Sequence, residues 1–293
     1  MLDQITVFGV ISFINFLTCV FIGTFLLIKS KKKPVNIAYC IFDYCIAFYA
    51  FFYFLWQFSS HREWEIIFFK WCIVGVVLIN TAFVHFAYVI LNLQTKYRKQ
   101  LIFIHALNAF FCFAAIYFFY DHWEIKYSYG LWPVPAMTFH VYIIWWFLQV
   151  IYCFYLIHNK GITKSVGKQK QQYQWIFWAT LIAYAGGATN WLVWYGIQFP
   201  PYLNSGIAIY TIVLAYAIFR HQLLGIDVFI KKTIVFGGLV IFSNSFAAVI
   251  TPFMGHYFKM PTLISTYISV LIAIIFYEPM KKFLMNATDK YLF

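Results

Sequence analysis

The chain has 293 residues, of which 63% are hydrophobic and only 10% charged, against about 25% charged in a soluble globular chain. So little polar side chain cannot cover a water-facing surface, which excludes a soluble protein and points to an integral membrane protein. The net charge of +12 would suit nucleic acid, but the basic residues are spaced as topology signals, so no nucleic-acid partner is expected.

Nine apolar segments are long enough, or nearly so, to cross a bilayer as helices, which takes about 20 residues. They fall at about 5–28, 37–57, 66–90, 101–120, 137–157, 173–197, 204–219, 233–256 and 263–278. The runs are continuous rather than alternating with period two, which argues against a β-barrel. The first run follows Asp3 and ends in Lys29 and Lys31 to Lys33. That is the reverse of a secretory signal peptide, so it reads as a retained span. The expected fold class is an all-α membrane protein, a polytopic helical bundle of about nine transmembrane helices.

With the N-terminus outside, 17 of the 21 Lys and Arg residues fall in inside segments. The exceptions are Arg62, Lys70, Lys126 and Lys259. Asp3, Glu63, Glu65, Asp121 and Glu124 also fall outside. The bias predicts an outside N-terminus and a cytoplasmic C-terminus, with basic inside loops against anionic headgroups. The longest outer loop, Asp121 to Ala136, is rich in aromatics and Pro. It reads either as an ordered cap over a pocket or as an interfacial aromatic belt. The inner loop His158 to Gln172 is polar and basic and reads as mobile. All six cysteines lie inside apolar runs without a CxxC, so neither a disulfide framework nor a metal site is expected.

Polar side chains inside spans carry the functional information, because they are costly there. Asp43, His85 and His105 could share one layer near the cytoplasmic side and act as a proton-sensitive polar switch. The plainer reading is a packing hydrogen bond between helices. His85 and His105 could also ligate a haem, but no second His pair accompanies them and no cofactor is expected. Asn80, His140, Trp145, Gln149, Asn190 and Trp191, with the small pair Gly186 and Gly187, gather in the outer halves of their spans. They are the candidate ligand-binding residues, although helix packing alone would also use them. No HExxH, no GxSxG and no paired carboxylates on one helix occur, so no catalytic residues are assigned.

Three motifs in the back half have an informative order. The first is Gly186-Gly187-Ala188-Thr189-Asn190-Trp191, followed by Tyr195-Gly196-Ile197 and Pro200-Pro201-Tyr202-Leu203-Asn204. The second is Ala215-Tyr216-Ala217-Ile218-Phe219-Arg220-His221-Gln222-Leu223-Leu224-Gly225-Ile226-Asp227-Val228. The third is Glu278-Pro279-Met280-Lys281-Lys282 with Asp289-Lys290-Tyr291-Leu292-Phe293. Together they resemble the N-terminal seven-helix sensor region of bacterial membrane histidine kinases. The likeness runs from about residue 175 to the end; the front matches in helix count and topology. Gly225 departs from the acid that relatives often carry there.

The resemblance implies a receptor in the bacterial plasma membrane, in which seven helices detect a signal and a cytoplasmic output follows the last span. The expected layout is a sensor core over 1–219, an amphipathic cytoplasmic elbow over 220–232 and a transmembrane hairpin with a short stub over 233–293. Arg220, Gly225 and Asp227 are the elbow residues, with Asp227 as N-cap of the next helix. No phosphoacceptor His region and no nucleotide-binding boxes are present. The chain is therefore not expected to autophosphorylate, whether it is a truncated sensor or a stand-alone relative. Expected partners are the lipid bilayer, a small hydrophobic ligand or lipid, and a second copy or an output protein. The alternative functions are a non-catalytic subunit of a larger membrane complex and, behind it, a transporter or haem-binding membrane protein.

Overall fold

A backbone in lipid must satisfy its polar groups internally, so each long apolar run closes into a helix. The computed structural model describes residues 4–29, 34–126, 130–199, 207, 210, 211, 213 and 276–283. Six helices appear among them in chain order: α1 (Gln4–Lys29), α2 (Pro34–Phe58), α3 (Arg62–Ile90), α4 (Arg98–Tyr117), α5 (Met137–Leu156) and α6 (Gly167–Trp194). All six are long and apolar enough to cross a membrane. The seventh expected span is represented by Ile207, Tyr210, Thr211 and Val213, all helical. The eighth and most of the ninth lie outside the described residues, as do Arg220, Gly225 and Asp227.

The chain divides into two units, residues 1–217 and 218–293. In the second, residues 276–283 are helical, and Lys281 Nζ bonds Glu278 Oε1 at 3.2 Å. In the first, α3 is the most buried span. It packs on α2 through rings, with Phe42 and Phe83 centroids 5.5 Å apart and Tyr39 and Phe86 5.8 Å apart. Near mid-span Gly75 brings the two backbones together. A Cβ added there would lie 2.9 Å from the Tyr49 Cα. Lipid offers helices no hydrophobic drive to associate, so such close packing has to supply the attraction. Phe21, Phe103, Phe113 and Ile151 stay exposed, on faces that lipid would cover.

Helix ends follow local chemistry. After α3, Asn92 takes φ 54° and Leu93 N bonds Tyr88 O at 2.8 Å. Asn tolerates this left-handed position better than most residues. Gly196 (φ 72°) ends α6 in the same way, with Ile197 N on Leu192 O at 3.0 Å.

Two connecting segments take regular structure. The basic segment 158–172 is largely helical rather than an open loop. α5 continues into a π-helical turn (Ile157–Ile162), and α6 begins at Gly167. The reason is tertiary. Gly161 sits so close to the Tyr173 ring that a Cβ would meet it at 3.0 Å. Lys160 Nζ donates to the Tyr97 hydroxyl at 3.2 Å, and Tyr173 OH donates to Ile90 O at 3.1 Å. The bond from Lys160, with its charge, holds the half-buried Tyr97 phenol below its ordinary pKa. The outer segment forms an antiparallel ribbon, β1 (Tyr120–Ile125) and β2 (Leu131–Pro135), with Glu124 opposite Trp132 and a bulge between Tyr120 and Trp123. This two-stranded element is the one departure from an all-α chain among the described residues.

Gly75→Ala is expected to cost about 1–3 kcal/mol by overpacking against the α2 backbone, read as a lower melting temperature of the protein in nanodiscs. Gly187→Ala is expected to leave melting unchanged, because an added Cβ there meets nothing within 4 Å.

Candidate functional site

Residues spaced three and four apart on α2, α3 and α6 turn toward one interior space. On α2 these are Phe42, Ile46, Tyr49 and Tyr53; on α3 they are Phe69, Cys72, Ile73, Val76 and Ile79. On α6 they are Tyr184, Gly187, Trp191 and Trp194. Trp146 of α5, Trp132 of β2 and Ile207 complete most of the wall around a cavity of about 70 Å3. Among the described residues no charged side chain lines it. Its polar groups are mostly engaged with each other. Tyr53 OH donates to Asn190 Oδ1 at 3.2 Å, and Asn190 Nδ2 donates to Gly187 O at 3.0 Å. Tyr184 OH donates to Asn80 Oδ1 at 3.4 Å. Without a Cβ on Gly187, α6 leaves room here.

The ribbon closes this end of the bundle. Trp132 is 1% exposed and meets the Trp56 ring edge-on at 4.9 Å. Trp123 meets Phe69 at 5.4 Å, and burial pushes the Tyr120 phenol well up. Lys126, 6% exposed, donates from Nζ to Trp194 O at 2.8 Å and pairs with Glu124 Oε1 at 3.3 Å. Trp194 O is one of the last α6 carbonyls, which have no partner within their own helix. The lysine thus satisfies a helix end and ties the ribbon to it. The Trp194 ring stacks on Phe139 with centroids 4.0 Å apart.

Of the six candidate ligand residues, Asn190 and Trp191 line the cavity. Asn80 stands behind the wall, bonded to Tyr184. Trp145 and Gln149 point to α4, where Trp145 Nε1 donates to Asn108 Oδ1 at 2.9 Å. Asn108 and Gln149 bond reciprocally at 3.0 and 3.1 Å, a buried amide clamp between α4 and α5. His140 is at the bundle end, its Nδ1 2.8 Å from the Tyr195 hydroxyl. The six therefore divide between a cavity wall, a clamp and a helix end. Trp146, one position from Trp145, takes the inward place because successive helical residues differ by about 100° around the axis. The aromatic wall was missed among so many aromatics, yet the spacing 184, 187, 191, 194 is legible in the sequence.

The three residues expected in one polar layer separate into two places. His85 and His105 rings meet edge to face at 5.5 Å, and His105 Nδ1 lies 2.8 Å from Leu101 O. The two rings touch each other rather than facing across a gap. Asp43 is fully buried, with Tyr39, Cys19 and Tyr210 as its electrostatic neighbours. Rotation about α3 explains the split, since Phe83 and Phe86 face α2 while His85 faces α4. Among the described residues no three His, Cys, Asp or Glu side chains gather as metal ligands.

Residues 11–226 match the family described as the N-terminal 7TM region of histidine kinase. The chain belongs to this family. No curated protein and no solved structure gives a match. The 7TM match begins in α1 and covers every helix of the first unit, whereas the motif resemblance began near residue 175. The Glu278 to Phe293 motif lies beyond it. The chain is a multi-pass protein of the bacterial plasma membrane and a membrane sensory module. The matched region is the sensor part of such kinases and not their catalytic part.

Lys126→Met should strip Trp194 O of its donor and release the ribbon at a cost of about 1–3 kcal/mol. The expected readouts are a red-shifted tryptophan emission and faster proteolysis between β1 and β2. Unchanged emission and proteolysis would show that the aromatic contacts hold the ribbon alone.

Proposed function

We propose that the seven-helix unit is the input module of a membrane sensor and that its cavity takes a small, uncharged, largely apolar ligand. The observation that carries this reading is the cavity itself. It is walled by rings, has no charged side chain among the described residues and lies under the ribbon. A buried charged ligand would find no counter-charge among those residues. At about 70 Å3 the space is well under the roughly 150 Å3 that accommodates benzene in an engineered apolar cavity. A ligand of that size or larger has to push rings and helices apart. Binding would thereby favour one helix arrangement over another, which is what a sensor needs.

The arrangement in the membrane belongs to the same proposal. It has nine spans, the N-terminus and ribbon outside and the C-terminus in the cytoplasm, supported by the distribution of Lys and Arg. The sensor core over 1–219 passes its rearrangement through the elbow at 220–232, with Arg220 at the headgroups, Gly225 at the turn and Asp227 as N-cap. The hairpin over 233–293 carries it to a cytoplasmic output, either a second copy of this chain or an output protein.

Ligand uptake is tested by melting the protein in nanodiscs with benzene and with indole. Each should raise the melting temperature of the wild type, because a ligand for the native state stabilises it. Gly187→Leu should fold, since the new side chain enters empty space, and should abolish the response. A wild type that responds to neither probe, or a variant that responds fully, sinks the cavity reading. For topology, a cysteine introduced at Asp121 should react with an impermeant maleimide on intact cells. One at Ser165 should react only after permeabilisation. The reverse pattern would invert the orientation.

A further inference from the structure

A second polar site lies beside the cavity, where α1, α2 and the residues at 210–211 meet. Asp43, Tyr39, Tyr210, Cys19 and Thr211 are each fully buried there. Among the described residues neither carboxylate oxygen of Asp43 has a partner at full hydrogen-bonding geometry, and neither do the hydroxyls of Tyr39 and Tyr210. Tyr39 nonetheless lies within hydrogen-bonding reach of both Asp43 and Tyr210. Thr211 Oγ1 donates to Ile207 O at 2.9 Å and lies 3.6 Å from Cys19 Sγ, so its lone pairs remain available. Gly23 of α1 faces this place closely, since a Cβ there would stand 3.6 Å from the Asp43 Cβ.

A bare carboxylate in a low-dielectric interior is too costly to stand alone and must be neutralised. Among the described residues no Lys, Arg or His bonds to Asp43. A proton on the carboxyl would neutralise it as well and could be shared with Tyr39, which lies within reach; a proton and a cation are told apart by the response to pH and to salt. Ionised, the cluster is a set of oxygens with one negative charge between them. Oxygen ligands suit hard cations, and a single charge is balanced by a monovalent ion rather than a divalent one.

We propose that Asp43, Tyr39 and Tyr210 form a binding site for one alkali-metal cation, with sodium as the probe. This goes beyond the ligand cavity and does not depend on what that cavity binds. The two places are nonetheless neighbours. Phe42, next in sequence to Asp43, lines the cavity and meets the Tyr210 ring edge-on at 5.8 Å. Occupancy of the ion site fixes the Tyr210 ring and so the inner wall of the cavity, which couples the two ligands reciprocally.

The test is the melting of the full chain in nanodiscs of neutral lipid, in sodium, potassium or choline chloride at equal ionic strength. The expected result is a saturable rise of about 2–4 °C in sodium or potassium over choline, absent in Asp43→Asn. Tyr210→Phe, which keeps the carboxylate, should shift the sodium midpoint to higher concentration. Equal melting in all three salts overturns the proposal. So does a melting temperature that follows pH but no cation, since the carboxyl then carries a proton. A full sodium response in Asp43→Asn overturns it as well. Should Asp43→Asn fail to fold, Tyr39→Phe and Tyr210→Phe decide. A raised midpoint in either supports the site, and an unchanged midpoint in both removes it.

Discussion

At Gly75 the α3 backbone comes up to the α2 backbone at Tyr49, and a single methyl group would hold the two apart. In lipid this approach is a principal source of attraction between helices, because apolar side chains gain nothing by leaving lipid for protein. Both helices contribute walls to the cavity, α2 through Tyr49 and Tyr53 and α3 through Phe69 and Ile73. Spreading them apart would open the cavity sideways to the bilayer. The contact therefore sets both the stability of the first unit and the shape of its interior.

Around that contact the bundle is closed by rings at one end and by polar bonds at the other. At the ribbon end Trp56, Phe69, Trp132 and Trp194 interlock edge-on or tilted. Large rigid rings fill space in few orientations, so where they fail to meet they leave a void with a defined shape. At the opposite end Lys160, Tyr97, Tyr173 and Ile90 join the π-turn and α6 to the loop after α3. Void and closed ends together suit a sensor: an interior ligand can move rings while both ends stay tied.

The buried polar groups divide by what they can reach. Asn108 and Gln149 satisfy each other and serve as a clamp between α4 and α5. Asn190 is satisfied within its own helix and by Tyr53, and so holds the cavity wall in place. Among the described residues Asp43 has no partner at full hydrogen-bonding geometry. An unpaired buried group is expensive, and a proton or a bound cation would offset the cost.

Composition and charge spacing made the membrane class and the first six spans legible, because lipid imposes helix length and continuity on the sequence directly. The motifs at Gly186 to Asn204 and Phe219 to Val228 carried the likeness to the 7TM histidine-kinase sensor region, and the family match over 11–226 gives it reach. Asn190 and Trp191 were legible as cavity residues, since small neighbours on a span mark room for a ligand. Trp146 against Trp145, the separation of Asp43 from the His pair, and the ordering of 158–172 were not. Each turns on which way a helix is rotated against its neighbour. The ribbon over 120–135 was legible as an ordered cap or an interfacial aromatic belt, but not as a pair of strands. The sequence by itself determined that this chain lives in the membrane as helices, because that follows from solvent alone. Only the tertiary structure decided which faces meet, and with them the cavity and the unpaired carboxylate. Packing against a neighbour depends on the rotation and depth of both helices, and no single span encodes its partner's.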